Sequence, residues 1–177
     1  NDDNHGKPMV VLDGKERELP IIESTMGTPS IDIRNLGKYN YFAYDPGFTS
    51  TSACTSKITY VDGNKGELLY RGYPIEQLAE KCDFLDVSYL LMHGELPNQM
   101  EKEGYLRSIS SHSLLHDQLN NIFGGYRRDA HPMAVMVGVV GSMSAFYFDN
   151  MDINYIDHRQ ISAHRLIAKI PTIAAWS

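Results

Sequence analysis

The sequence predicts a mainly α-helical fold with a small β-and-loop segment at its N-terminus. Over residues 1–72, short runs rich in β-branched and aromatic residues alternate with glycine and proline turns. From Pro74 onward, apolar residues recur at the three- and four-residue spacing of amphipathic helices. We therefore divide the chain into a hairpin-and-loop segment, residues 1–72, and a helical part, residues 73–177.

The β segment begins with a predicted small hairpin. Residues 1–8 are polar and are expected to be disordered. Residues 9–12 and 17–19 flank an Asp-Gly turn and read as two short antiparallel strands. Residues 21–30 contain glycine and proline and are expected to form a connector, whereas residues 31–33 alternate like a short strand.

A second hairpin is predicted in the middle of the segment, after a turn at residues 45–47. Residues 57–61 and 67–71 form its strands, and the polar loop 62–66 carries two glycines. Pro74 is expected at the first helical position, where its missing N–H is not needed. The chain therefore changes from strand to helix at this proline.

Six helices are predicted by residues that cap or open a first turn. These residues are Pro74, Asp83, Asn98, Ser113, Pro132 and Asp157. Asn98 has Glu101 three residues later, as in a capping box, and Gly94 is placed to end the second helix. The apolar positions expected to face inward include Phe84, Met100 and Leu106.

The helix expected over residues 133–147 is apolar on nearly all sides and should therefore be buried on nearly all sides. Its small residues, Gly138 and Gly141 among them, would allow another helix to approach closely. Pro171 is expected to interrupt the last helix. The chain then stops within what reads as another helix start, which predicts a partial chain.

Composition excludes several classes of function. Sixteen basic and 22 acidic residues give a net charge of −6, which does not favour nucleic-acid binding. The N-terminus lacks an apolar signal core, and the longest apolar stretch is shorter than the about 20 residues of a bilayer span. Cys54 and Cys82 have no metal or disulfide spacing and indicate reduced thiols in the cytoplasm.

The histidines could form a metal site or have only a structural role. His112 and His116 are four residues apart and could share a metal on one helix face, but no acidic partner lies between them. The favoured interpretation is a helix start with two partly exposed histidines. His131 precedes a proline at a helix start and is expected to be structural. No phosphate-binding glycine loop and no HExxH pattern is present.

One group of residues has the side chains that a dinucleotide-binding site needs. Arg165 and Lys169 are one helical turn apart, so their cationic ends are expected on one face. Tyr147 ends the preceding helix, and His112 is expected to open an earlier one, where free N–H groups favour anions. A tyrosine ring, a guanidinium and an ammonium suit a base and its phosphates. An ordinary solvated basic face is the competing interpretation.

The stretch DPGFTSTSACTSKITYVDGNKGELLYRGYPIEQLA, residues 45–79, resembles the N-terminal region of citrate synthase. The likeness is to the long bacterial form with an N-terminal β segment, and it extends over nearly all of the chain after about Ile31. It implies that residues 73–177 are the first part of that family's large, all-α domain. It also implies a subunit that forms dimers and hexamers.

The activity implied by this resemblance is acyl transfer. Citrate synthase condenses acetyl-CoA with oxaloacetate and water to citrate and CoA in the tricarboxylic acid cycle, and it requires no cofactor. In the family the catalytic aspartate and histidines lie in the C-terminal half, so no catalytic residue is expected within residues 1–177 and this portion alone should be inactive. Two alternatives remain, a 2-methylcitrate synthase, which uses propionyl-CoA and usually lacks the β segment, and a stand-alone nucleotide-binding regulatory module.

The resemblance also implies an allosteric NADH site. In the long bacterial enzymes NADH inhibits from a site in the N-terminal half, and Tyr147, Arg165, Lys169 and His112 fall on matching positions. Ser111 stands where NADH-sensitive members have arginine, and Leu114 where they have methionine. Losing one arginine–phosphate contact costs about 1.5–3 kcal/mol, or about tenfold or more in affinity. NADH is therefore expected to bind weakly.

Overall fold

A computed structural model describes residues 7–177, which fall into two compact units, residues 7–82 and Asp83–Ser177. The first unit contains the strands, a 310 helix and one short α-helix, and the second contains the remaining helices. The fold is thus mainly α-helical with a small β segment at its start, as predicted. Among the described residues, no helix combines the length and the apolar character that spanning a membrane requires.

The first hairpin pairs β1 (Met9–Leu12) with β2 (Lys15–Glu18) in antiparallel register. Its turn places two successive residues at positive φ, which matches the twist of a tight hairpin. The prediction of disorder over residues 1–8 was wrong for two of them. Lys7 pairs with Glu18 at 2.9 Å, and the Pro8 carbonyl accepts from the Leu19 N–H at 2.9 Å. Residues 1–6 of that prediction lie outside the described part of the chain.

The segment predicted to be a connector contains a pair of hydrogen-bonded strands. β3 (Ile21–Ile22) pairs with β4 (Ser30–Ile31), so the ends of the connector meet as antiparallel strands. Beyond it, the Asp32 carboxylate accepts from Arg34 at 2.6–3.0 Å, and this pairing lowers the pKa of Asp32 to about 2. A 310 helix, Arg34–Tyr39, follows, which the sequence pattern did not predict.

The second hairpin forms a three-stranded sheet with one added strand. β5 (Thr59–Asp62) and β6 (Glu67–Tyr70) pair as predicted, and β7 (Tyr73–Pro74) extends the sheet. Pro74 therefore lies in an edge strand and precedes α1 (Ile75–Lys81), instead of occupying its first helical position.

The second unit contains five helices: α2 (Phe84–His93), α3 (Gln99–Ser111), α4 (Leu119–Gly124), α5 (Pro132–Ser142) and α6 (Ile156–Trp176). Two 310 turns, Met143–Ala145 and Phe148–Asn150, lie between α5 and α6. Capping boxes open α2 and α3 at Asp83 and Asn98, and Gly94 ends α2 at a φ of 98°, so these three predictions are confirmed.

Three other residues that were predicted to start or interrupt a helix do not do so. Ser113 caps no helix, because its hydroxyl donates to the Ser110 carbonyl just beyond the end of α3, and α4 begins only at Leu119. Asp157 lies inside the first turn of α6 without a capping hydrogen bond. Pro171 does not end α6, which continues to Trp176, because Ile173 is fully buried and its packing holds the last turns in place.

A core of five buried side chains joins the last three helices. It consists of Leu119, Val135, Val139, Met143 and Ile173. These residues come from α4, α5, the first 310 turn and α6. Apolar burial of this kind stabilises each fully buried side chain by about 1.5–3 kcal/mol. The core therefore fixes α6 against α4 and α5.

The helix α5 is buried on one face only, contrary to the prediction. Met133 is 58% exposed and Val137 is 72% exposed, whereas Val135 on the opposite face is buried. The space beside Gly138 is filled by the Tyr126 side chain instead of a helix, because a Cβ on that glycine would lie 1.7 Å from the tyrosine hydroxyl. The glycine thus admits one side chain at close range.

A second packed group lies where α2, α3 and α6 meet. Tyr105 is buried, shares a hydrogen bond of 2.6 Å with Ser88, and meets the His164 ring edge-on at 5.1 Å. His164 in turn shares a hydrogen bond of 2.8 Å with Ser108. Three side chains expected to face inward here are instead exposed: Phe84, Met100 and Leu106. The aromatic and polar groups, and not those apolar ones, hold α3 to α6.

Candidate functional site

The four residues predicted to form a nucleotide site lie together in the structure. Arg165 and Lys169 project from one face of α6 toward the ring of Tyr147, with the Arg165 Cζ 5.0 Å and the Lys169 Nζ 4.9 Å from its centroid. Both distances are within the range of cation–π attraction. The fourth residue, His112, is joined to this group by a hydrogen bond from Lys169 to its carbonyl. We call these four residues the α6 cluster.

His112 lies at the opposite end of a helix from the one predicted. It is the residue that ends α3, so it contributes helix carbonyls to the α6 cluster in place of free N–H groups. The partial negative charge at a helix C-terminus attracts cations. The expectation of an anion-binding helix start at His112 was therefore wrong, because the turn after Ser111 closes α3 instead of opening a helix.

The Lys169 ammonium hydrogen-bonds to carbonyls at the C-terminal end of α3 and just beyond it. Lys169 is 3% exposed, and its Nζ donates to the His112 carbonyl at 2.6 Å and to the Leu114 carbonyl. An ammonium has three donors, and its remaining side faces the Tyr147 ring. A charge can stay buried where it is hydrogen-bonded in this way. Lys169 therefore ties α6 to the loop between α3 and α4.

Arg165 keeps donors that the described residues do not satisfy. Its side chain is 13% exposed, and Nη1 donates to the Asp149 carboxylate at 3.4 Å, which is longer than the usual charge-assisted hydrogen bond. A guanidinium has five N–H donors in a planar fork. Arg165 is thus the cation of the α6 cluster that can bind a phosphate in bidentate geometry. Asp149, two residues after Tyr147, is a neighbour of the α6 cluster that no sequence pattern predicted.

The His112 imidazole is the neutral member of the α6 cluster. Burial lowers its pKa below the ordinary 6.5, and the nearby positive charges of Arg165 and Lys169 lower it further. At neutral pH the ring is therefore uncharged and offers one donor and one acceptor nitrogen. The cluster then combines two aromatic faces with two cations.

The two neighbours that depart from the family pattern are also placed beside the α6 cluster. The Ser111 hydroxyl donates to the Ser108 carbonyl at 2.8 Å, so it is held by its own helix. The Leu114 side chain is 83% exposed while its carbonyl accepts from Lys169. Neither side chain brings a charge to the cluster, so Arg165 is the residue there with guanidinium donors to offer an anion.

A cleft of about 290 Å³ opens beside the α6 cluster. It is lined by the loop between α3 and α4 and by the end of α6: Ser113, Leu114, Leu115, His116, Asp117, Asn120, Thr172 and Trp176. This volume is just below the range of about 300–1,000 Å³ for small-molecule pockets, and none of the four residues of the α6 cluster lines the cleft.

The two other histidines considered as candidates from the sequence, His116 and His131, each make a local hydrogen bond to the backbone. His116 lies in the turn before α4, where Nδ1 accepts from the Gln118 N–H at 3.2 Å, so it does not share a helix face with His112. His131 caps α5 by accepting from the Met133 N–H at 3.2 Å, as the structural interpretation predicted. Within residues 7–177, no three side chains of the metal-ligating types lie close enough to hold an ion.

Comparison with known proteins gives one consistent result. The family described as "Citrate synthase, C-terminal domain" matches residues 47–177. Citrate synthase from Pyrobaculum aerophilum is similar over 89% of this chain and 37% of its own, at 28% identity and a TM-score of 0.66. Citrate synthase from Thermotoga maritima is similar over 75% and 34%, at 28% identity and a TM-score of 0.63.

A third similar structure is a ternary complex. It contains carboxymethyl coenzyme A and oxaloacetate with citrate synthase from Thermoplasma acidophilum. At 24% identity and a TM-score of 0.65 over 72% of this chain, the likeness concerns the fold alone. The chain covers 33% to 37% of the length of these three structures.

Proposed function

Because the chain belongs to the citrate synthase family, we propose that the protein containing it is an acyltransferase that makes citrate. In this reaction a base removes a methyl proton from acetyl-CoA, the enol adds to the ketone of oxaloacetate, and water cleaves the thioester to release CoA. The observation that carries the proposal is the family match over residues 47–177. The proposed setting is the tricarboxylic acid cycle of a bacterial cytoplasm, and no cofactor is required.

The role proposed for residues 1–177 is structural and regulatory, without a catalytic residue. Two residues whose side-chain types could suggest catalysis, Asp45 and His131, are already engaged in local hydrogen bonds. Asp45 accepts from the Ser50 N–H at 2.9 Å, and this hydrogen bond lowers the pKa of Asp45, which makes it a weaker base. His131 is occupied in capping α5.

A direct activity test separates the candidate functions. The protein should release CoA from acetyl-CoA only when oxaloacetate is present, and the 177-residue chain alone, verified by its mass of 20.0 kDa, should show no turnover. A higher kcat/KM with propionyl-CoA than with acetyl-CoA would identify a 2-methylcitrate synthase instead. Citrate synthase is favoured because 2-methylcitrate synthases usually lack a β segment such as β1 to β7. A regulatory module would bind NADH in a protein that has neither activity.

We further propose that the α6 cluster binds NADH as an allosteric inhibitor. Tyr147 and the neutral His112 supply ring faces, and Arg165 supplies the donors for a phosphate. Lys169 holds the loop in place, because its ammonium is already hydrogen-bonded to two carbonyls. Binding is expected to be weak, since Ser111 brings no second guanidinium.

Calorimetric titration with NADH tests this site. Arg165→Ala should weaken binding about tenfold or more, the loss expected when a phosphate loses a charged hydrogen-bond partner. Arg159→Ala is the matched control, because Arg159 lies on α6 and donates to the Ile153 carbonyl away from the α6 cluster. Its NADH affinity should be unchanged. Unchanged affinity in Arg165→Ala would remove the assignment.

The partner proposed for the chain is a second copy of itself, forming dimers that assemble into hexamers. The exposed face of α5 supports this, because Met133 and Val137 are apolar and Gly141 has open space beside it. Sedimentation of a Val137→Glu variant should show a smaller assembly than the original protein. An unchanged assembly mass would exclude α5 from the contact.

A further inference from the structure

A carboxylate is held against the phosphate-binding group of the α6 cluster. Asp149 lies in the 310 turn Phe148–Asn150, and its Oδ1 accepts from Arg165 Nη1 at 3.4 Å. Its Oδ2 accepts from the Asn150 amide at 2.7 Å. The same turn is fastened to α6, because the Asn150 carbonyl accepts from the Ser162 hydroxyl at 3.2 Å. The carboxylate is thus kept beside Arg165 by both its own contacts and its turn.

Arg165 is the only cation of the cluster for which a ligand anion and Asp149 would compete. Lys169 is 3% exposed, and its ammonium donates to two backbone carbonyls. A phosphate that reaches the fork of Arg165 must therefore approach a group whose charge Asp149 already balances. Two like charges within a few ångströms repel, most strongly where water is partly excluded.

The pair between Asp149 and Arg165 is suited to exchange. Its distance of 3.4 Å is longer than that of a tight carboxylate–guanidinium pair, and the Asp149 side chain is 61% exposed while that of Arg165 is 13% exposed. The carboxylate can therefore turn into water when another anion takes its place, whereas the guanidinium stays over the Tyr147 ring.

We propose that Asp149 is a specificity-determining residue of this site, an internal anion that a ligand phosphate must displace from Arg165. This inference rests on the proposed NADH site. Asp149 raises the NADH concentration needed for binding and disfavours ligands with more negative charge. It acts together with the uncharged Ser111 in making the site weak.

Titration of the protein with NADH tests the role of Asp149. Asp149→Asn keeps the shape of the side chain and removes the charge, and it should bind NADH about three- to tenfold more tightly. Asp157→Asn is the matched control, since Asp157 is exposed on α6 and forms no ion pair within residues 7–177. Its affinity should stay within about twofold. The gain in Asp149→Asn should shrink at high salt, as a charge effect on an exposed site must.

The outcomes separate this inference from the site itself. Equal or weaker NADH binding by Asp149→Asn, in a protein whose NADH binding depends on Arg165, would overturn the role of Asp149 and leave the site in place. A gain that persists unchanged at high salt would also overturn it, because it would not arise from charge. Absence of NADH binding in both the original protein and Asp149→Asn would overturn the nucleotide site and this inference together.

Discussion

Replacing Lys169 with methionine removes the buried ammonium and keeps most of its apolar stem. Two charged hydrogen bonds, to the carbonyls of His112 and Leu114, are lost, each contributing about 1.5–3 kcal/mol. The attraction to the Tyr147 ring, about 0.5–2 kcal/mol, is lost as well. Relief from burying a charge offsets part of this sum. We expect Lys169→Met to lower the free energy of unfolding by about 2–4 kcal/mol.

Urea denaturation at pH 7 measures this loss. Lys81→Met is the control, because Lys81 is an exposed lysine at the end of α1 and its replacement should change stability by less than about 0.5 kcal/mol. Hydrogen exchange adds a local readout, since amides at the end of α3 should exchange faster in Lys169→Met. A loss in Lys169→Met no larger than that of the control would refute the reasoning, because it would mean that the two carbonyls do not depend on the ammonium.

Three further predictions follow from packing, capping and titration. Gly138→Ala should destabilise the protein by about 1–3 kcal/mol in urea, because the added Cβ meets the Tyr126 hydroxyl, and Tyr126→Phe should recover part of the loss. Asn98→Ala should cost about 1 kcal/mol in the same assay by removing the capping box of α3. Burial, followed by the charges of His93 and His112, lowers the pKa of His164 below 6.5, so the unfolded chain takes up its proton first as the pH falls. The melting temperature should therefore drop as the pH falls below about 6.5, and a His164→Gln variant should show a smaller drop; an equal drop in both would exclude His164 as the source.

Local sequence signals predicted those elements whose contacts are local. The cap at Asp83 and the capping box at Asn98 form between residues three apart, so the residue types alone identify them. The stop at Gly94 depends on one residue with positive φ. The start of α4 could not be predicted from Ser113, because the Ser113 hydroxyl donates to the Ser110 carbonyl at the end of α3 and caps no helix. A serine side chain can hydrogen-bond to more than one nearby backbone group, so its presence does not by itself fix a helix start.

The candidate site could be predicted in its spacing but not in its electrostatics. Arg165 and Lys169 share a helix face because they are four residues apart, as expected. The burial of Lys169 depends on a loop more than 50 residues away in sequence, since its partners are the carbonyls of His112 and Leu114. No local pattern marks such a contact. For the same reason Asp149, 16 residues from Arg165, was not recognised as its partner.

An activity assay paired with an intact mass tests the central claim most directly. We predict that the natural protein containing this sequence releases CoA from acetyl-CoA in an oxaloacetate-dependent reaction, and that a chain verified at 20.0 kDa does not. Turnover by the 20.0 kDa chain would contradict the assignment of a purely structural and regulatory role to these residues. An inactive natural protein would contradict the proposed citrate synthase reaction itself.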